Sequence, residues 1–298
     1  HDVVALLRRI LHEKKVGHTG TLDPDATGVL PVCLGKATKI IQFLQDDEKC
    51  YEGTITLGIE TDTLDAGGRI LGISHNMRVE PDDIKRVFNS FIGEIDQIPP
   101  MVSAIKIQGE RLYNIARQGK TIERTPRKVR IYDLELLKIY EESVENVDPS
   151  SLFTRIDFRV RCSRGTYVRV LAADIGKALG CGAHLAMLVR TKSGAFKLED
   201  SIRLDEIQAE PENTLRALQP VDDVLSFMPA ITITDSARKR FLNGVSVEGS
   251  EVVRYENKIQ VNDLIRVHDG TGTLLGIGRF IQINSSKTVI CKAIRILN

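Results

Sequence analysis

Lys15-Val16-Gly17-His18-Thr19-Gly20-Thr21-Leu22-Asp23-Pro24-Asp25-Ala26-Thr27-Gly28-Val29-Leu30-Pro31 is the stretch around which the chain is organised. It holds three glycines and two prolines. Glycine reaches backbone dihedrals that other residues avoid, and proline fixes them. The Pro24 ring pushes Asp23 away from helix toward extended geometry. Two readings follow: a turn in which Asp23 is the turn former, or a carboxylate held in place between His18, Thr19 and Thr21.

Working outward, 298 residues suffice for about two domains with separate cores. The apolar fraction of 42% and charged fraction of 27% are those of an ordinary globular protein. A net charge of +1 averages over patches, so a nucleic-acid signal has to come from local clustering. Five cysteines, at 33, 50, 162, 181 and 291, form no CxxC pair, and a reducing cytoplasm is the expected setting. No apolar run approaches the ~20 residues of a membrane span. The start, through Lys15, reads as a charged amphipathic segment and not as a secretory signal.

In chain order, residues 2 to 14 read as a helix, from the spacing of Val3, Leu6, Leu7, Ile10 and Leu11 with Asp2 as N-cap. After the loop, Val29 to Leu34 reads as a short buried segment, followed by a helix ending near Leu44. Residues 50 to 59 alternate, with Tyr51, Gly53, Ile55 and Leu57 on one face, which predicts a half-buried strand. Asp65-Ala66-Gly67-Gly68 marks a turn before a return strand from Arg69 to Ile73. Glu80 to Asp83 opens a helix with Ile84, Val87, Phe88 and Phe91 inward. Strands follow at 129–137 and 152–162, then a helix closed by Gly180, an apolar segment around Leu185, Leu188 and Val189, and a short helix at 200–208. From about Phe227 the pattern becomes short strands, broken by a helix from Asp235 to Asn243 that Gly244 stops.

Between Ala104 and Arg130 stand eight basic residues, among them Lys106, Arg111, Arg117 and Lys120, against only Glu110 and Glu123. Tyr113 sits among them. A basic stretch with an aromatic suits a phosphate-rich partner; the alternative is a solvated face.

Other chemistries lose support on inspection. The six histidines, at 1, 12, 18, 75, 184 and 268, form no HExxH, and Cys181 with His184 lacks a second ligand pair. There is no GxSxG elbow and no P-loop, and Gly270-Thr271-Gly272 lies in β-rich sequence. Asp23-Pro24-Asp25-Ala26-Thr27 fits the DxDx[TV] nucleophile pattern of haloacid-dehalogenase-type phosphatases. The residues before it, however, are not a buried strand, and the chain has no Gly-Asp dipeptide for a magnesium site.

Gly17 to Pro24 with Ala26 to Leu30 resembles the signature of the TruB-type tRNA pseudouridine synthases. Four more features agree in order and spacing: Lys49-Cys50-Tyr51, Gln97-Ile98-Pro99-Pro100 with Ser103-Ala104, Gly165-Thr166-Tyr167-Val168-Arg169, and Leu179-Gly180-Cys181-Gly182-Ala183-His184. The resemblance spans nearly the whole chain. It implies an α+β fold: a mixed, mainly antiparallel catalytic domain over residues 1–226, with an RNA-clasping insertion at 98–130, and a small β-barrel-like PUA domain, an RNA-binding module, over 227–298. The family also carries a Lys-Pro segment upstream of the position matched by His1.

The same resemblance implies roles. Asp23 matches the catalytic aspartate, Tyr51 the aromatic that stacks on the target uracil, and Tyr167 and Arg169 the pocket, with Arg169 pairing with Asp23. Leu188 matches an apolar residue near the base, and His18 one that holds the flipped-out RNA. Lys106, Arg111, Arg117 and Lys120 fall in the clasp for the T arm. Taken singly, Tyr51 and Leu188 read as core and Arg169 as a surface charge at a helix start. The implied reaction moves the glycosidic bond of uridine from N1 to C5, with no net redox or hydrolysis, so no cofactor or metal is expected. An ionised aspartate is a competent nucleophile, and attack on the uracil ring and attack on ribose C1′ are both compatible with these residues. Asp25, which completes the phosphatase pattern, reads as incidental. The expected activity is isomerisation of the T-arm uridine at position 55 of tRNA by a cytoplasmic monomer, with no membrane or protein partner. A small-RNA-guided rRNA pseudouridine synthase and a non-catalytic tRNA-binding chaperone are the alternatives; the 98–130 insertion and the retained Asp23 favour the stand-alone enzyme.

Overall fold

Helix α1 (Asp2–Ile10) opens the chain and buries Val4 and Leu7 on its apolar stripe. It stops short of the expected Lys14, because His12 takes a φ of 50°, outside helical geometry. This computed structural model describes residues 2–44, 48–74, 79–103, 105–107, 109–144, 147–148, 150–256, 259–283 and 288–297. Strands β1 (Val16–His18) and β3 (Val32–Leu34) pair antiparallel, with His18 opposite Val32. The two-residue strand β2 (Thr27–Gly28) lies in the loop between them, and a 3-10 helix over Gly35–Phe43 follows. The chain divides into two compact units: residues 20–30 with 45–201, here the central unit, and residues 1–19, 31–44 and 202–298, the terminal unit.

The central unit runs through β4 (Lys49–Leu57), β5 (Ile59–Thr61), β6 (Ile70–Ile73), α2 (Pro81–Ser90), β7 (Gly93–Gln97), β8 (Lys106–Ile107), β9 (Glu110–Arg111), α3 (Leu112–Arg117), β10 (Arg127–Ser143), β11 (Leu152–Cys162), α4 (Val168–Ala178), β12 (Ala183–Ser193) and β13 (Phe196–Lys197). Its main sheet has the order β13-β12-β4-β11-β10-β7, antiparallel throughout, with β2 added in parallel to β12. Ile55, Ile84, Phe88, Ile131, Ile156, Phe158, Leu171 and Ile175 form the centre of its core. They come from the apolar faces of β4, α2, β10, β11 and α4, so two helices cover one face of the sheet. The expected inner face of α2 holds, with Ile84 and Phe88 fully buried and Val87 and Phe91 packed at the margin.

Two details differ from the pattern reading. β4 is buried on both faces from Gly53 to Leu57, not half-buried. It lies between β11 and β12, and on its polar side the Thr54 hydroxyl donates to Asp157 at 2.7 Å. β10 begins at Arg127 and runs to Ser143, so Arg127–Arg130 pair with β7 as part of the sheet.

The terminal unit continues with α5 (Leu204–Ala209), α6 (Pro211–Arg216), α7 (Val221–Val224), β14 (Ala230–Ile233), α8 (Asp235–Leu242), β15 (Val247–Glu248), β16 (Val252–Tyr255), β17 (Leu264–His268), β18 (Leu274–Ile283) and β19 (Thr288–Ile296). The strands form a barrel-like sheet in the order β15-β19-β18-β17-β14-β16, antiparallel except for β14 with β17. Alternating residues of these strands, with Ala237 and Phe241 of α8, fill its core. α8 stops where expected, with Gly244 at a φ of 80° just past its end, and at its start the Thr234 hydroxyl accepts from the Ala237 amide. The whole is a mixed α+β fold with mainly antiparallel sheets. No helix among the described residues is long and apolar enough to cross a membrane.

Candidate active site

The Asp23 loop is fastened to β12 by its backbone. Thr27 and Gly28 pair with Val189 and Arg190, and the Val29 amide donates to the Arg190 carbonyl at 2.8 Å. Gly28 has a φ of +105°, and a Cβ there would lie 2.3 Å from the Arg190 oxygen, so only glycine permits this approach. Upstream, the Ala26 amide donates to the Asp23 carbonyl at 3.0 Å, closing a tight turn over Pro24 and Asp25. The Asp23 side chain stays 35% exposed at this turn.

Arg169, in the first turn of α4, meets it from below with its side chain only 4% exposed. One of its terminal nitrogens donates to Asp23 Oδ1 at 2.9 Å and to the Val102 carbonyl at 2.8 Å. The other donates to Asp65 Oδ2 at 3.5 Å and to the Thr63 carbonyl at 3.4 Å. Asp65 is itself held: the Thr63 hydroxyl donates to its carboxylate, the Thr61 hydroxyl to its carbonyl, and the Ala66 and Leu185 amides tie this turn to β12. Burial raises the Asp23 pKa above the usual carboxylate value. The Arg169 guanidinium opposes the rise, the Asp65 and Asp25 carboxylates add to it, and Arg190 opposes it. Asp25 lies against Gly67, where a Cβ would come within 2.8 Å of its Oδ2. It is a charge neighbour of Asp23, which the pattern reading of Asp25 as incidental did not capture.

Tyr51 stands on β4 with Val160 and Arg190 as its cross-strand neighbours. It is half-buried at the edge of the central core. Burial pushes its phenol up to about 12, against the nearby Arg190 guanidinium. Tyr167 is the N-cap residue of α4. Its amide donates to Gln97 Oε1 at 3.0 Å and its carbonyl accepts from Gln97 Nε2 at 3.3 Å. Gln97, at the end of β7, is 1% exposed and so fixes the start of the helix that carries Arg169. Leu188 is buried on β12, opposite Gly53.

The structure thus brings Asp23 and Arg169 into contact and places Tyr51, Tyr167 and Leu188 on elements of the same unit. His18 sits on β1 in the terminal unit. In the basic segment, β8 and β9 form a small hairpin in which Lys106 pairs with Arg111 through the backbone; the side chains of these two lie outside the described residues. Arg117 lies over the Tyr113 ring, 5.6 Å from its centre, and Lys120 is exposed. Arg124 donates to the Pro99 carbonyl at 3.0 Å, and Lys128 is paired with Glu94.

Three residues of this geometry were not singled out by sequence. Asp65 was visible only as part of a turn signal, Gln97 only as one letter of a longer motif, and Arg190 left no signal within its strand. Among the described residues, no group of three or more His, Cys, Asp or Glu is arranged to hold a metal ion.

A family model described as "TruB family pseudouridylate synthase (N terminal domain)" matches residues 8–168, and one described as "tRNA pseudouridylate synthase B C-terminal domain" matches residues 169–226. The chain is 48% identical over 244 residues to the tRNA pseudouridine synthase B of Alkaliphilus oremlandii (strain OhILAs), covering 82% of this chain and 77% of that one. It is 41% identical over 293 residues to the tRNA pseudouridine synthase B of Clostridioides difficile (strain 630), covering 97% and 93%. Among solved structures, a chain in "Structure of H/ACA RNP bound to a substrate RNA containing 2'-deoxyuridine" superposes with a TM-score of 0.72 at 26% identity, over 100% of this chain and 81% of that one.

Proposed function

The chain belongs to the TruB family of pseudouridylate synthases, and from that premise we propose that it isomerises the T-arm uridine at position 55 of tRNA, with Asp23 as the nucleophile. The observation that carries this reading is the Asp23–Arg169 pair: a carboxylate one-third exposed, its charge opposed by a buried guanidinium 2.9 Å away. The exposed part leaves room for a nucleotide, and the guanidinium favours the ionised form that attack requires. The two carboxylates of Asp65 and Asp25 act the other way, so the charge on Asp23 is balanced, not simply stabilised.

The remaining residues follow from what a folded RNA demands. Its target base must leave the stack, and an aromatic face offsets the lost stacking; Tyr51, half-buried beside the core, takes that role. Tyr167 and Leu188 line the base, His18 helps hold the flipped-out conformation of the RNA, and the arm carrying Lys106, Arg111, Arg117 and Lys120 clasps the phosphates of the T arm. The terminal β sheet serves as the PUA-like RNA-binding module. The protein acts in the cytoplasm as a monomer, without a guide RNA, since the arm supplies its own grip on the substrate.

The test is release of tritium from tRNA labelled at uracil C5. The protein is expected to release it and Asp23→Asn is not. Equal release by both proteins removes Asp23 from the mechanism, and release from a tRNA lacking the T-arm uridine removes the position assignment.

A further inference from the structure

Arg190 is 2% exposed, yet its side chain donates to no carboxylate among the described residues. Its donors reach main-chain carbonyls on both sides of Asp23, and its guanidinium also faces the Tyr51 phenol. Nε donates to Val29 at 2.7 Å, one terminal nitrogen to Gly20 at 3.1 Å, and the other lies 3.5 Å from the Thr21 carbonyl. Gly20 and Thr21 precede Asp23 by three and two residues, and Val29 follows it by six. The backbone of Arg190 adds the pairing with Gly28 and the bond from the Val29 amide, and on its other side it is paired with Tyr51. One residue therefore closes the loop at both ends and joins it to the strand that carries the aromatic.

We propose that Arg190 is a positioning residue of the reaction: its guanidinium clamps the two ends of the Gly20–Val29 loop and so fixes the Asp23 carboxylate relative to Tyr51. A planar fork with five donors is the side chain able to serve three carbonyls from one buried point. Lysine keeps the charge but offers a compact point of donors; methionine fills the volume and leaves the three carbonyls without their donor. Errors of about 1 Å in the placement of a reacting group cost about 10²-fold in rate, so a loosened loop lowers kcat while the RNA-binding surface stays intact. The rate part of this inference rests on the proposed function; the clamp itself does not.

The experiment compares the parent protein, Arg190→Lys and Arg190→Met, each confirmed folded at the assay temperature. Single-turnover tritium release and tRNA binding are measured alongside amide hydrogen exchange of peptides from the loop and from β10 and β11. Expected are a kcat loss of about 10²-fold for Arg190→Met, partial rescue of about tenfold by Arg190→Lys, and tRNA affinity within about threefold of the parent. Exchange is expected to quicken in residues 20–29 and not in β10 or β11. Unchanged kcat, an affinity loss as large as the rate loss, or exchange that quickens uniformly would each overturn the assignment, the second because Arg190 would then be an RNA contact. A parent protein that releases no label, with loop-selective exchange in the variants, would refute the functional reading and leave the clamp standing.

Discussion

Asp23 and Asp65 share one guanidinium: Arg169 reaches the first at 2.9 Å and the second at 3.5 Å, from a side chain that is almost fully buried. The two carboxylates compete for the same charge, and the Asp65 carboxylate raises the cost of ionising Asp23. With Asp23 already raised by burial, the acid limb of the kcat/KM profile is expected above the ordinary carboxylate range, because the nucleophile must be ionised. Asp65→Asn removes a like charge and releases Arg169 to Asp23 alone, so its acid limb is expected at lower pH than in the parent. Arg169→Met removes the counter-charge; its acid limb is expected at higher pH, with kcat down by about 10²–10³-fold. Profiles of both variants on labelled tRNA check the two directions, and a shift of the same sign in both would rule out the shared-charge account.

Stability should follow the same linkage with a sign that differs from that of a simple salt bridge. A carboxylate with a raised folded-state pKa binds its proton more tightly in the native than in the unfolded chain. Its contribution to stability is then full below the ordinary carboxylate pKa and is lost as pH rises through the folded value. Ionised Asp23 is accordingly a strain on the native state at neutral pH. Asp23→Asn is expected to abolish label release yet unfold at a temperature no lower than the parent at pH 7, with the difference closing toward pH 4. Thermal melts at the two pH values measure this, and a variant that melts well below the parent at pH 7 would show that the Arg169 attraction outweighs desolvation.

Gln97 sets the frame from the other side. Both ends of its amide are spent on the Tyr167 backbone, in a position 1% exposed. Gln97→Leu keeps the volume and leaves the Tyr167 N–H without its acceptor, at about 1–3 kcal/mol, while the Tyr167 carbonyl keeps the bond from the Leu171 amide. The expected result is a lower urea midpoint together with a lower kcat, because α4 carries Arg169 in its first turn. A conservative Gln97→Glu should restore only the bond that the Tyr167 amide donates, and with it part of the stability.

How far sequence could carry this picture depends on what each residue's neighbours are. The Asp23 loop was legible because glycine and proline act locally: Gly28 has to be glycine for its own φ, wherever the loop docks. Tyr167 and Arg169 were legible through a matching motif at a strand–turn–helix junction. Asp65 was not, because its role depends on the β5–β6 hairpin turning its carboxylate toward an arginine 104 positions away. Arg190 was hidden for a related reason: an arginine reads as solvent-facing by its residue type, although alternation puts it on the face of Leu188, and only the docked loop supplies the carbonyls that let it be buried there. The burial of Thr54 and Thr56 on β4 likewise came from the strands on either side, not from the alternation of β4 itself. Charge alone also misplaces the end of the basic segment, since Arg127, Lys128 and Arg130 mask a strand that starts with them.

That last point separates the basic residues into groups with different expected effects on RNA binding. Lys128 is engaged by Glu94, and Arg124 is committed to the Pro99 carbonyl within the arm. Arg117 and Lys120 are exposed, and Arg117 is stacked on Tyr113 so that its charge is presented from a fixed place. Every phosphate that the protein ceases to neutralise should reduce the slope of log affinity against log salt by about 0.7–0.9. Arg117→Ala with Lys120→Ala is therefore expected to weaken tRNA binding and flatten the salt slope by about 1.5. Lys128→Ala should leave the slope unchanged. Arg124→Ala should weaken binding with little change in slope, since it loosens the arm and leaves the phosphate-neutralising charges in place. Filter binding over a salt series distinguishes the three, and an unchanged slope in the Arg117 and Lys120 double variant would return this arm to an ordinary solvated face.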